Sequence, residues 1–262
     1  MKFDREPAVA GLFYPAEPAT LQRRVQSLLA ATAPLSLRDV KALVVPHAGY
    51  QYSGPIAATA YAQLAPIAAR IRRVVLFGPA HRVYFGGLAF PDAERLLTPL
   101  GPVALDCEAL DGLADLPQVQ RMDRAFSGEH CLEVQLPFLQ TLLPDFRIVP
   151  LLVGDTTPEA VAEVMERLWG GPETLILVSS DLSHYLDYES AKRTDLRTTQ
   201  AIERLDPEAL DHHSACGSTP LCGLLLQGRR LGLKERTLDL RNSGDTAGPR
   251  DQVVGYGAYA FY

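Results

Sequence analysis

Three histidines in this sequence stand in the same local setting. ALVVP is followed by His47, VVLFGPA by His81, and LILVSSD, after Leu182 and Ser183, by His184. Each apolar run has the length of a buried strand, and each opens into a turn rich in Gly, Pro or Ser. In open α/β sheets, ligands bind in the crevice outside the carboxyl ends of the strands. Three such turns would therefore bring three imidazoles to one crevice. Imidazole is the commonest protein metal ligand near neutral pH. Three imidazoles, or two with a carboxylate, leave coordination positions open for a substrate. That is the catalytic arrangement of zinc, and the two-His-one-carboxylate face suits Fe(II) oxygenases. The expected metal ligands are His47, His81 and His184.

Asp181 lies three residues before His184 and is a candidate ligand, supporting partner or base. SGEHCLEVQLPF sets Glu129 and His130 at a helix start, a polar pair suited to acid/base work beside a metal. Asp181, His130 and Glu129 are the expected catalytic groups. A further strand run, TLDLRNSGD, ends in Asn242, Ser243 and Asp245, and Tyr50 and Tyr52 follow His47 in PHAGYQYSG. The candidate pocket residues are Tyr50, Tyr52, Ser243 and Cys216. Cys216 precedes Gly217 at a helix start, where a thiol pKa can be depressed. Plainer roles stand beside these: a turn cap for Asp181, a helix-dipole charge for Glu129, buried aromatic area for the tyrosines, a small residue in a tight turn for Cys216. His212 and His213 are adjacent in the polar stretch LDPEALDHHSACGS, point in different directions, and are expected at the surface. No GxGxxG or GxxxxGK[ST] follows a strand, so a nucleotide cofactor has no support. A GxSxG elbow is absent too, which argues against a serine hydrolase.

The elements that must position these groups alternate along the chain. Leu21, Val25, Leu28 and Leu29 have helical spacing after Pro18. ALVVP is a strand, and Ser53 as N-cap with Pro55 in the first turn announces a helix. RRVVLFGP is a second strand. Leu132, Leu136, Leu139 and Leu143 predict a helix after Glu129, with Pro137 as a kink or break. FRIVPLLVG is a strand, Val161, Val164, Met165 and Leu168 mark a helix starting near Pro158, and ETLILVSSD is a strand. A polar helix from Glu189 to Leu205 and another from Gly217 to Leu231 precede the closing strands RTLDLRNSGD and VVGYGAYAFY. Continuous apolar strands separated by helices predict an α/β fold, with a mainly parallel central sheet covered on both faces. Without a linker-like tract or an internal repeat, residues 1–262 are expected to form a single domain.

The whole-chain properties agree with a globular enzyme-sized protein. Of the 262 residues, 47% are hydrophobic and 21% charged, enough for a large core. The net charge of −6, with no basic stripe, argues against a nucleic-acid partner. The opening MKFDREPAVAGLFYP lacks the apolar run of a signal peptide, and no stretch approaches the length of a membrane span. Cys107, Cys131, Cys216 and Cys222 are far apart, with no CxxC, which suits reduced thiols in the cytoplasm.

Taken in order, AGLFYP, VVPHAGYQYSG, FGPAH, GEHCLEVQLPF, VSSDLSHY, ACGSTP, NSGDTAG and VVGYGAYAF resemble the Memo family, whose prokaryotic members are called AmmeMemoRadiSam system protein B. The resemblance spans nearly the whole chain. It implies a fold similar to class III extradiol dioxygenases of the LigB type, which cleave catechols with non-haem Fe(II). It also implies that His47, His81, His184 and Asp181 line a metal site, with iron or copper as the ion. The name of the prokaryotic group records gene association with an AMMECR-type protein and a radical SAM protein, which implies a functional link to both. Eukaryotic relatives place a cysteine in the last motif turn. This chain has Arg241, Asn242, Ser243, Gly244 and Asp245 there, so the third ligand is expected from His184, Asp181, Asp245 or water.

Three functions compete. The leading one is an Fe(II)-dependent, dioxygenase-like oxidoreductase acting on a small substrate, with His130 or His184 as acid/base and zinc or copper as alternative ions. The second is a zinc-assisted hydrolase with Glu129 or Asp181 as base. The third is a non-catalytic module that binds a peptide or protein, as proposed for eukaryotic members in signalling.

Overall fold

Apolar runs bounded by proline and glycine fold as the central strands, as their composition requires. The computed structural model describes residues 3–35, 37 and 39–262. Its strands are β1 (Asp4–Arg5), β2 (Ala42–Val45), β3 (Arg73–Pro79), β4 (Leu88–Phe90), β5 (Arg95–Thr98), β6 (Gly101–Ala104), β7 (Val119–Arg121), β8 (Arg147–Val153), β9 (Thr174–Ser179), β10 (His184–Leu186), β11 (Glu235–Asn242) and β12 (Val253–Phe261). The α-helices are α1 (Pro18–Ala30), α2 (Gly54–Tyr61), α3 (Cys107–Asp111), α4 (Leu136–Leu142), α5 (Pro158–Leu168), α6 (Tyr188–Glu203) and α7 (Ser218–Leu231).

The main sheet runs β10-β12-β2-β9-β3-β8-β4-β7, with β11 also paired to β12, and it does not close into a barrel. Its centre, β2-β9-β3-β8, is parallel. Both flanks are different: β12 runs antiparallel to β2, β10 and β11, and β4 antiparallel to β8. Parallel pairing is therefore confined to the middle and the β4–β7 edge. Every residue of β2 and β9 is buried. Successive side chains point to opposite faces, so helices must cover both. One layer is α1, α2 and α4, resting on β2 and β12 through α2; another is α5 and α7, resting on β3 and β9 through α7. β1, β5 and β6 make a separate small sheet.

Most of the sequence-predicted helices and strands form within a residue or two of their expected bounds; the strand expected over RTLDLRNSGD stops at Asn242, where Ser243–Asp245 make a 3-10 turn, and three further differences stand out. The predicted helix after Glu129 begins only at Leu136, with Pro137 in its first turn and a 3-10 turn at Glu133–Gln135 before it. Proline lacks the N–H that a helix interior needs, so it starts this helix instead of kinking one. Ser53 heads α2, but its hydroxyl donates to Ala48 O and caps nothing. The stretch between His81 and Glu129 carries the short strands β4–β7 and helix α3, whose lengths give no periodicity. No helix among the described residues is long and apolar enough to cross a membrane.

Candidate metal centre

β2 and β3 are separated in the sheet by β9, and all three end on the same side. β2 delivers Pro46 and His47, β3 delivers Ala80 and His81, and β9 runs from Ser179 into Ser180 and Asp181. The loop before α4 crosses above them. Gly78 in β3 makes this approach possible: a Cβ there would lie 2.7 Å from Cys131 Sγ and Leu132 Cδ2. Glu129 and His130 are thereby held over His81.

His47 is fixed by a hydrogen-bond chain that leaves no freedom of tautomer. Tyr61 donates to Gln135 Oε1 (2.8 Å), and the Gln135 amide donates to Pro46 O (3.0 Å) and Ser179 Oγ (2.9 Å). Ser179 spends its single proton on Cys131 O (2.7 Å). The contact between Ser179 Oγ and His47 Nδ1 (2.9 Å) must then have Nδ1–H as donor. Nε2 keeps its lone pair and faces the crevice. The residue is 2% exposed. Burial, reinforced by the nearby His81, depresses its pKa to about 3, so it is neutral at physiological pH.

His81 is oriented by a carboxylate in the same way. Its Nδ1 lies 3.0 Å from Glu129 Oε1, and its backbone N–H donates to Oε2 at 2.7 Å. The backbone N–H groups of His130 and Cys131 donate to Oε1 as well. Burial alone would raise the Glu129 pKa; the His81 hydrogen bonds and the backbone donors override it and hold it at about 2. An ionised carboxylate only accepts, so His81 Nδ1 carries the proton and Nε2 is directed outward. His130 completes a ring cluster: its centroid lies 5.2 Å from that of His81, nearly stacked, and 5.6 Å from that of His47, while His47 and His81 are 5.2 Å apart. Burial lowers the His130 pKa to about 4.

Cys216 enters from the amino end of α7. Gly217 lets that end come close to β9, because a Cβ there would meet Ser180 Cβ at 2.8 Å and Ser179 O at 2.9 Å. Cys216 N donates to Asp181 O, Asp181 N donates to Cys216 Sγ (3.3 Å), and Sγ lies 3.4 Å from His47 Nε2. Burial, with Asp181 adding to it, raises the thiol pKa to about 12. Asp181 is buried, its Oδ1 accepts the His47 backbone N–H at 2.8 Å, and burial raises its pKa.

Among the described residues, two groups of potential ligand atoms each lie within 4.8 Å of one another inside the group: His47, His81 and Cys216; and His81, Glu129 and His130. His47 and His81 thus meet, as their strand-end positions predict, and His130 joins them. His184 belongs to neither group. It borders the same crevice but is exposed on β10, and its Nδ1 donates to Leu182 O at 2.8 Å. The crevice, about 620 Å³, is walled by Leu12, Phe13, Tyr52, Arg82, Tyr185 and Ser243 around the histidines and Asp181. Tyr52 and Ser243 therefore stand where a pocket role requires. Tyr50 does not: it is buried, its hydroxyl donates to Val134 O at 2.6 Å, and it packs on Phe138 behind the crevice. His212 and His213 are exposed, with His212 Nδ1 at 3.1 Å from Ser218 Oγ.

Sequence reasoning missed Ser179, Gln135 and the front wall. Phe13 sits on the His130 ring at 4.7 Å. Its loop is anchored by half-buried Glu133, which accepts from Ala8 N (2.6 Å), Val9 N (3.0 Å) and the Tyr14 hydroxyl (2.5 Å). The signal for Gln135 and Ser179 is a polar residue inside an apolar run.

The chain matches a family model described as Memo-like protein over residues 5–260. It is 39% identical over 278 residues to a MEMO1 family protein of Aeropyrum pernix, covering 97% of this chain and 98% of that one. It is 35% identical over 276 residues to one from Sulfolobus acidocaldarius, covering 96% and 97%. It is 37% identical over 270 residues to one from Methanosarcina acetivorans, covering 97% of each.

Proposed function

The chain belongs to the Memo family, and on that premise we propose that its crevice is a divalent-metal centre serving a dioxygenase-like oxidoreductase, with Fe(II) as the favoured ion and zinc or copper as alternatives. One observation carries this reading. His47 and His81 each present Nε2 to a shared space while Nδ1 is held by a fixed acceptor, the arrangement that sets tautomer and ring orientation in metal sites. The donor set fits such an ion, since His47 and His81 nitrogens and the Cys216 sulfur, from three separate segments, lie within 4.8 Å of one another, and His81 also belongs to a second such group with Glu129 and His130. A redox-active ion held there supplies the one-electron and O₂ chemistry that these side chains lack.

The residues around it divide the remaining work. Glu129 is committed to His81, His130 and the backbone, so it orients and does not act as a base. His130 is neutral at pH 7 and faces the His47–His81 space, where it can accept a substrate proton. A crevice of about 620 Å³ falls within the range for a small-molecule ligand, and the four unpaired cysteines suit a reducing, cytoplasmic setting. The zinc-hydrolase reading keeps one support, Asp181, a crevice carboxylate with a single donor on Oδ1. Metal analysis of protein purified without oxygen tests the proposal. It expects about one equivalent of iron in the wild type and none in His47→Ala. Protein that takes up neither iron, zinc nor copper when each is supplied overturns it.

A further inference from the structure

We infer that Arg82 reads an anionic group of the substrate, so that the crevice selects a small monocarboxylate with an apolar, ring-sized body. The inference rests on the metal-centre reading above and concerns what the centre acts on. Arg82 directly follows His81 in the chain and lines the same crevice. It is exposed and, among the described residues, has no ion-pair, hydrogen-bond or aromatic partner. Arg5, Arg73 and Arg241, by contrast, end on the carboxylates of Asp123, Asp106 and Asp239.

The balance of charge in the crevice points the same way. Its wall carries Arg82 as a permanent cation and Asp181 as the one carboxylate. Asp181 is buried, its Oδ1 accepts the His47 backbone N–H, and it makes no ion pair with Arg82. His47 and His130 are neutral at physiological pH, held so by burial. A divalent ion at the centre adds its charge to that of the guanidinium, so a ligand seated between them gains from carrying negative charge. The kind of anion follows from the number of donors. A guanidinium presents a planar fork that matches one carboxylate bidentately. A phosphate dianion calls for more cations, and no lysine and no second arginine lines the crevice. Phe13, Tyr52, Tyr185 and Tyr256 line it instead, offering ring surface to the rest of the molecule.

Titration of zinc-loaded protein with benzoate, benzamide and phenyl phosphate, followed by saturation-transfer NMR, tests this. The three share one ring and differ in the group offered to Arg82. The wild type is expected to bind benzoate about fivefold more tightly than benzamide, and at least as tightly as phenyl phosphate. In Arg82→Gln the preference for benzoate should vanish while the metal content, by elemental analysis, stays that of the wild type. Arg197→Gln, which removes the same charge from α6 outside the crevice, should keep the preference. Benzoate binding no tighter than that of benzamide in the wild type overturns the inference. A preference that survives Arg82→Gln does so too, since the metal alone then reads the carboxylate. Tighter binding of phenyl phosphate than of benzoate overturns the carboxylate assignment. In each of these cases the metal centre stands. Wild-type protein that holds no metal, whether iron, zinc or copper is supplied, removes the centre and this inference together.

Discussion

The two sides of the crevice are built on different principles. The inner side comes from the ends of three central strands, where His47 and His81 each have one ring nitrogen committed to a fixed partner and the other free. The outer side comes from β10, a short edge strand of irregular register against β12, and from the turn that contains Ser243. There His184 is exposed, with its Nδ1 bonded to Leu182 O in its own turn, and Tyr185 adopts a left-handed backbone conformation (φ 59°) with 70% of its surface exposed. Chemistry near a sheet thus divides by support. A side chain locked by neighbouring hydrogen bonds can meet a ligand without reorganising, whereas one on a loose edge must be recruited.

Removing His47 is the strongest way to break this contrast. His47→Ala should lose all measurable metal by elemental analysis, and bound metal above about a tenth of the wild-type level would place the centre elsewhere. Glu129→Gln comes next. It leaves the ligands in place but removes the charge that orients His81, and should weaken metal binding roughly 10–100-fold in a competition titration. The same variant has a pH signature. Glu129 has a folded pKa of about 2 against an ordinary 4.5. A depressed folded value contributes stability above the unfolded pKa that is lost as pH falls through the folded one. Urea unfolding of metal-free protein should therefore show wild-type stability falling between pH about 4.5 and 2, by on the order of 3 kcal/mol. The Gln variant should be flatter over that window; an unchanged slope would show that Glu129 is not the group responsible.

Ser179→Ala sharpens the comparison, since it frees the His47 tautomer without touching the crevice. Its expected cost is about tenfold in affinity with the fold intact, and an affinity equal to wild type would mean that backbone packing alone orients the ring. The smallest expected effect is that of His184→Ala, whose metal affinity should match the wild type. A loss comparable to that of His47→Ala would show that the outer side closes onto the ion.

How far this was legible follows from where each residue lies. His47 and His81 directly follow apolar runs, so the alternation of strands and helices was enough to bring them together. His184 shares the same type of run, but that run ends at Asp181. The intervening Leu182 and Ser183 carry the chain past the crevice floor and onto antiparallel β10. His130 sits in a loop with no period of its own, and its approach depends on Gly78, a packing fact invisible to spacing. Tyr50 and Tyr52 each had a pocket role and a buried one open to them from the sequence; the turn that starts at Gly49 sends Tyr50 inward onto Phe138 and leaves Tyr52 on the crevice wall. Cys216 was legible as a helix-start thiol, but its neighbour His47 is 169 residues away in the chain.

The anchor on Glu133 also sets an order of events during synthesis. Its partners Ala8, Val9 and Tyr14 precede it by 119–125 residues. At roughly 5–20 residues per second, the ribosome needs about 6–25 s to travel that distance. Throughout that interval the loop has Tyr50 to meet, through the Tyr14 ring and the Phe13 carbonyl, but neither Glu133 nor His130, which Phe13 will cover, has yet been made. The earliest-made part of the crevice is thus among the last to be put in place, so the nascent chain has to keep an apolar hexapeptide, AGLFYP, from finding another partner before its own carboxylate arrives.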